Sequence, residues 1–187
     1  MVSMDAEDIA ESTGTPAVLN GSPHSPVRFS SGRPQQTFGL FRAGGTTYSG
    51  PDGRHDAVGI GPEGTPVILE PTEQESWQGP ALGGFYSILS DSRPQETISV
   101  RDAVSAVGWN AEGSLIFLVI AGRDGKGFSY GEAGALLAEL GATDALALDG
   151  GGSARLIWRE DGRLKSFPAG SVRRSVPNFL TLSTDTP

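Results

Sequence analysis

The sequence predicts a compact α+β domain that is rich in short strands, with a mixed sheet and a few packed helices. Three observations lead there. A length of 187 residues suits one domain spanning 1–187. A hydrophobic content of 37% suffices for one core. The 27 glycines and 13 prolines are spread along the chain, which favours many short elements joined by tight turns over a helical bundle.

The elements follow in order. Residues Met4 to Thr13 read as a short helix with Ile9 and Ala10 facing inward. Thr15 to Gly21 is a buried strand ending in a turn, and Ser22 to Arg33 lacks periodicity and reads as loop. Strand candidates at Thr37 to Arg42, Asp56 to Ile60 and Pro66 to Leu69 are separated by glycine turns. Gly83-Gly84 precedes an apolar strand, Phe85 to Leu89. Val104 to Trp109 and Ser114 to Ala121 flank Asn110-Ala111-Glu112-Gly113, the pattern of a hairpin. Glu132 to Leu140 places Ala133, Leu136, Leu137 and Leu140 at helical spacing. Ser129 and Glu132 stand at the separation of a capping box, and Gly141 falls where a helix ends. Ala145 to Leu148 is a short apolar strand that delivers Asp149 to its end, directly before Gly150-Gly151-Gly152. Ala154 to Trp158 resumes as a strand, Glu160-Asp161-Gly162 turns, and Ser175 to Leu182 closes the sheet.

Composition removes several classes of function. Twenty-two acidic residues against 14 basic ones give a net charge of −8, which disfavours polymeric nucleic acid as a partner. A few local arginines can still reverse the field inside a cleft. With no cysteine there is no disulfide, thiolate metal site or cysteine nucleophile. No run approaches the roughly 18 apolar residues of a membrane span. The start, Met1 to Asp8, is acidic where a secretory signal is basic, so the chain as written reads as cytoplasmic. Loss of a leader would make it secreted or envelope-bound. His24 and His55 are the two histidines, without zinc-ligand spacing. Gly122 to Gly127 lacks the spacing and ending of a phosphate loop, and no Gly-x-Ser-x-Gly elbow is present. No metal or cofactor is expected, although carboxylate and asparagine oxygens leave a hard cation open.

The sharpest chemical signal is Leu148-Asp149-Gly150-Gly151-Gly152-Ser153. Three successive glycines are costly in backbone entropy and useless to a packed strand. They suit a place where backbone approaches a ligand, with N–H groups that bind an anion; the plain alternative is a glycine turn. Asp149 at the strand end can act as a base or bind sugar hydroxyls. Arg123, Arg173 and Arg174 sit beside strand ends and suit a bidentate phosphate clamp, or else surface salt bridges. His24, in the loop after Asn20-Gly21, is either a cleft acid or base or a solvated loop residue.

In this order along the chain, the motifs resemble the phosphodiester glycosidase family, that of the uncovering enzyme which removes N-acetylglucosamine from a phosphodiester. Ala17 to Gly21 is similar to the family's early strand ending in Asn-Gly, and Gly83-Gly84 to its central glycine pair. Ser105-Ala106-Val107-Gly108 resembles its Thr-Ala-x-Gly strand, Gly122-Arg123 its Gly-Arg element, and Ser129 its helix cap. Leu148 to Ser153 resembles its Leu-Asp-Gly-Gly-Gly-Ser motif, and Arg174 to Asn178 its closing Arg-x-Val-x-Asn. The chain departs from the pattern at Val104, where the family has arginine, and at Ser22-Pro23-His24 and Ala154-Arg155-Leu156. The upstream strands of longer members are missing.

The resemblance implies cleavage of the glycosidic bond of a sugar-1-phosphodiester, releasing a phosphomonoester and free sugar. It implies a small-molecule or glycan substrate carrying the phosphodiester, and no membrane partner. On that reading Asp149, Arg123 and Arg174 are catalytic. Asn20, Gly21, His24, Gly83, Gly84, Gly150, Gly151, Gly152, Ser153 and Asn178 are the substrate-binding set, with Asn20 and Asn178 on sugar hydroxyls or orienting Asp149. The alternatives are a catalytically altered module that captures a sugar-phosphate or nucleotide-like ligand, and a hydrolase of soluble nucleotides or sugar nucleotides.

Overall fold

Helix α1 (Ala6–Thr13) buries Ala6 and Ala10, and Gly14 ends it in the left-handed conformation at φ 67°. The computed structural model describes residues 1–95, 99–122, 126–169 and 174–182. Strands follow as β1 (Ala17–Asn20), β2 (His24–Ser25), β3 (Gln36–Thr37), β4 (Phe41–Ala43), β5 (Thr46–Ser49), β6 (Ala57–Ile60), β7 (Pro66–Leu69) and β8 (Ala81–Gly83). Next come β9 (Ser87–Ser90), β10 (Arg93–Pro94), β11 (Val104–Trp109), β12 (Leu115–Ile120), helix α2 (Tyr130–Glu139) and β13 (Asp144–Ala147). After a 3₁₀ turn at Gly151–Ser153, the chain forms β14 (Leu156–Glu160), β15 (Arg163–Phe167) and β16 (Phe179–Thr181).

The strands form sheets in the orders β15-β14-β1-β16, β10-β9-β13-β11-β12 and β5-β4-β8-β6-β7, beside the short pair β2-β3. The architecture is β-rich with two α-helices among the described residues, but the expected mixed sheet is corrected. Every pairing of named strands is antiparallel. Short glycine turns join β4 to β5, β6 to β7 and β14 to β15, and a tight turn can join only antiparallel neighbours. Helix α2 is the crossover that parallel pairing would need. It carries the chain from β12 over to β13, and β11 lies between those two strands.

Strands β11 and β13 occupy the middle of this stack. Val104 and Ala106 of β11, with Ala145 and Ala147 of β13, pack against Ala133 and Leu137 of α2. The alternate residues Val107, Trp109 and Leu146, continued by Leu148, pack with Leu19, Val58 and Leu82 of the other sheets. Both faces of each strand are therefore covered, so burial runs on along these segments instead of alternating. The predicted capping box forms at α2: the Ser129 side chain accepts from the Glu132 N–H, and Glu132 accepts from the Ser129 N–H. Gly141 follows the helix at φ 93°. The single strand expected over Thr37 to Arg42 is instead broken between β3 and β4, where Gly39 takes φ 72°.

Candidate active site

The end of β13 is fixed by backbone before any functional side chain appears. Leu148 N–H donates to Ser105 O at 2.7 Å, and Asp149 N–H donates to Gly21 O at 3.0 Å. The Asp149 carbonyl accepts from Asn20 Nδ2 at 2.6 Å, while Asn20 Oδ1 accepts from Arg155 N–H at 2.9 Å. Asn20, 1% exposed, thus ties the segment leaving β13 to the segment entering β14.

Each glycine of the triplet has its own reason. A Cβ on Gly150 would lie 2.6 Å from Ala103 O, Gly151 takes φ 55°, and a Cβ on Gly152 would lie 2.7 Å from Arg174 Nε. The Gly151 N–H is engaged by Ala103 O at 2.9 Å and the Ser153 N–H by Gly150 O at 3.0 Å. The turn thus has two of its N–H groups, those of Gly151 and Ser153, engaged within the protein. Its contribution is close approach, and Arg174 uses it by lying over Gly152. The backbone after Arg174 is anchored twice. Ser175 N–H donates to Arg28 O at 3.0 Å and Val176 N–H to Met4 O at 2.9 Å, while Ser175 Oγ donates to Asp5 at 2.6 Å.

Asp149, Gly150, Gly151, Gly152 and Arg174 line one cleft of about 1030 Å³. Asp102, Lys126 and Tyr130 add polar groups to its wall, and Phe29, Phe85, Val100 and Phe128 add apolar ones. Residues 13–183 match the phosphodiester glycosidase family. The chain belongs to that family.

Among solved structures, the chain is similar to the catalytic domain of zebrafish N-acetylglucosamine-1-phosphodiester alpha-N-acetylglucosaminidase, described as auto-inhibited by its pro-peptide. The TM-score is 0.70 at 21% identity, covering 96% of this chain and 65% of that one. A hypothetical protein from Synechocystis aligns with TM-score 0.63 at 14% identity, covering 93% of this chain and 52% of that one. The chain therefore spans less than two thirds of the length of either structure, and both likenesses concern the fold. No curated protein matches it.

The remaining residues singled out in this phosphodiester glycosidase sequence sit behind the cleft rather than on it. Asn20, Gly21, Ser153 and Asn178 are buried. A Cβ on Gly21 would overlap the Asn178 side-chain oxygen, so that glycine permits strand contact. Asn178 Oδ1 accepts from Ser22 N–H at 2.8 Å and its Nδ2 donates to Ser22 Oγ at 3.2 Å. Gly83 and Gly84 are buried at the end of β8, and the next residue, Phe85, is the one that lines the cleft. The His24 side chain is 1% exposed and lies against Asp149. Around these residues the structure shows packing and support of the segment that carries Asp149. Arg123 and Arg173 lie outside the described residues.

Asp102, Lys126 and Tyr130 were not found from sequence. Asp102 had a usable signal. Strands β11 and β13 are antiparallel, so a residue just before β11 lies beside one just after β13, and a carboxylate there faces the glycine turn. Its Oδ2 comes 3.4 Å from where a Gly151 Cβ would stand. Tyr130 is the first residue of α2. Burial first, and then the charges of Asp149, Tyr86 and Asp102, push its phenol up from 10.0 to about 12. At neutral pH it keeps its proton and can donate a hydrogen bond. Between pH 10 and 12 the unfolded chain releases this proton while the folded chain keeps it, so stability falls as pH rises through that window. Urea midpoints of wild type and Tyr130→Phe will therefore converge with rising pH if wild type starts higher, because the variant lacks this loss.

Proposed function

We propose that this protein is a hydrolase that cleaves the glycosidic bond of a sugar-1-phosphodiester to give a phosphomonoester and free sugar, with 1–187 as one domain of its family. The observation that carries the reading is the convergence of Asp149, the three-glycine turn and Arg174 on one cleft. Such a bond breaks through an oxocarbenium-like state. The anomeric C–O electron pair leaves with the phosphate oxygen, water supplies the hydroxyl to the anomeric carbon, and the water proton passes to the Asp149 carboxylate and then to solvent. The leaving group is already an anion, so holding it matters more than protonating it. Arg174 is suited to that by its planar donor fork, and the side-chain-free turn lets a phosphate come close. Tyr130 donates to a sugar hydroxyl, and Phe29, 63% exposed at the cleft, offers a face for the C–H side of a sugar ring. The zebrafish relative's substrate makes N-acetylglucosamine the first sugar to try.

Phosphorus NMR of the purified protein with glycosyl-1-phosphodiesters and sugar nucleotides tests the reading. A new phosphomonoester signal is the expected result. Intact substrates whose signals broaden with protein would replace the hydrolase with a binding module on the same cleft.

A further inference from the structure

The segment Ser22-Pro23-His24 places an imidazole behind Asp149. His24 opens β2, where it pairs with Thr37, and its side chain is 1% exposed. Nδ1 lies 3.2 Å from Asp149 Oδ2 and 3.3 Å from the Ser22 carbonyl oxygen. Nε2 is buried with no hydrogen-bond partner. These contacts fix the tautomer of the neutral ring. A bare nitrogen lone pair facing two oxygens at that range is repulsive, whereas an N–H there meets two acceptors. At Nε2 the reverse holds: a buried N–H without an acceptor is penalised, and a bare buried nitrogen less so.

The ring is itself held. Asn178 binds Ser22 through both the Ser22 N–H and its hydroxyl. Ser22 presents its carbonyl to Nδ1, and Nδ1 faces the Asp149 carboxylate. Two buried polar residues that never reach the cleft thus connect to the one carboxylate that the proposed chemistry uses.

We propose that His24 is a positioning residue for Asp149: its Nδ1–H, set by the Ser22 carbonyl, holds the carboxylate in one orientation toward the cleft. A group that fixes another's orientation acts on the reacting geometry and not on substrate affinity, and small misplacements of a reacting group are expensive in rate. The kinetic part of the proposal rests on the hydrolase reading; the tautomer does not.

Both parts can be measured on the intact chain. Long-range proton–nitrogen correlation spectra of ¹⁵N-labelled protein report which ring nitrogen carries the proton. The chain has two histidines, so a His24→Asn spectrum assigns the signals by loss. A proton on Nδ1 of His24 is expected, and a proton on Nε2 alone overturns the proposal whatever the activity. With UDP-N-acetylglucosamine as substrate, His24→Phe fills the space without a donor and should lower kcat by about 100-fold while KM stays within about threefold. His24→Asn returns an N–H near the Nδ1 position and should recover at least about tenfold of that loss. Equal rates for wild type and His24→Phe, or no recovery in a His24→Asn protein that melts normally, overturn it. Should His24→Phe fail to fold, the tautomer and the His24→Asn rate still decide. Absence of wild-type turnover across the whole set of glycosyl-1-phosphodiesters and sugar nucleotides sinks the hydrolase reading instead, and leaves the spectrum to decide the tautomer.

Discussion

Replacing Asp149 with asparagine will reduce phosphodiester cleavage by about 10³-fold or more while leaving the protein folded. Both halves follow from how the residue is held. The backbone of Asp149 is fixed from two sides, by Gly21 O and by Asn20 Nδ2, and neither bond involves its side chain. The carboxylate faces Nδ1 of His24, which the amide oxygen of asparagine can face equally well. The substitution is isosteric, so the melting temperature should move by no more than about 2 °C. What asparagine lacks is the charge. It neither accepts a proton from water at neutral pH nor stabilises positive charge at an anomeric carbon. Initial rates by phosphorus NMR, paired with thermal melting, check both halves. A variant that folds and keeps the wild-type rate would remove Asp149 from the chemistry, and the other carboxylate at the cleft among the described residues, Asp102, would become the group to test.

The parts of this fold that were legible in the sequence are those decided locally. Helix α2 announces itself through the Ser129–Glu132 capping box and apolar spacing, and the β11–β12 hairpin through two apolar runs around a glycine-ended loop. Strands β8, β10 and β15 were not legible. Three-residue Ala81–Gly83 and two-residue Arg93–Pro94 are too short for a period to register, and Arg163–Phe167 is a mostly polar strand at a sheet edge. The sheet type is not a local property: α2 leads from β12 to β13 as a crossover does, but those strands are separated by β11 and are not neighbours. The same division runs through the site. Asp149 and its glycines are adjacent in sequence and stood out. Asp102 and Tyr130 reach the cleft only because β11, β13 and the start of α2 converge, which no local pattern encodes. Asn20, Asn178 and His24 were noticed for chemistry, but whether a polar residue at a strand end faces the ligand or supports its neighbour depends on tertiary packing.

Gly84 separates those two roles by experiment. If it bound substrate, alanine there would raise KM and leave stability alone. Its surroundings predict the opposite. Gly84 N–H donates to Asp56 O at 2.8 Å, and a Cβ on it would overlap the Ala147 carbonyl oxygen and stand 2.7 Å from Leu146 Cγ. The Ala147 carbonyl cannot simply retreat, since it accepts from Phe85 N–H at 2.7 Å while Ala147 N–H donates to Tyr86 O at 3.0 Å. Leu146 is fully buried in the central cluster. Backbone must therefore move in a place where both neighbouring strands are covered, and overpacking of that kind costs about 3 kcal/mol. For a chain of this length, Gly84→Ala should lower the melting temperature by roughly 6–12 °C. Activity should fall too, by a different route from a binding defect. Ala147 is two residues before Asp149 and Phe85 lines the cleft, so the displacement enters the site through its scaffold and lowers kcat. A Gly84→Ala protein that melts like wild type but binds substrate weakly would return this glycine to the ligand-contact role that its motif suggested.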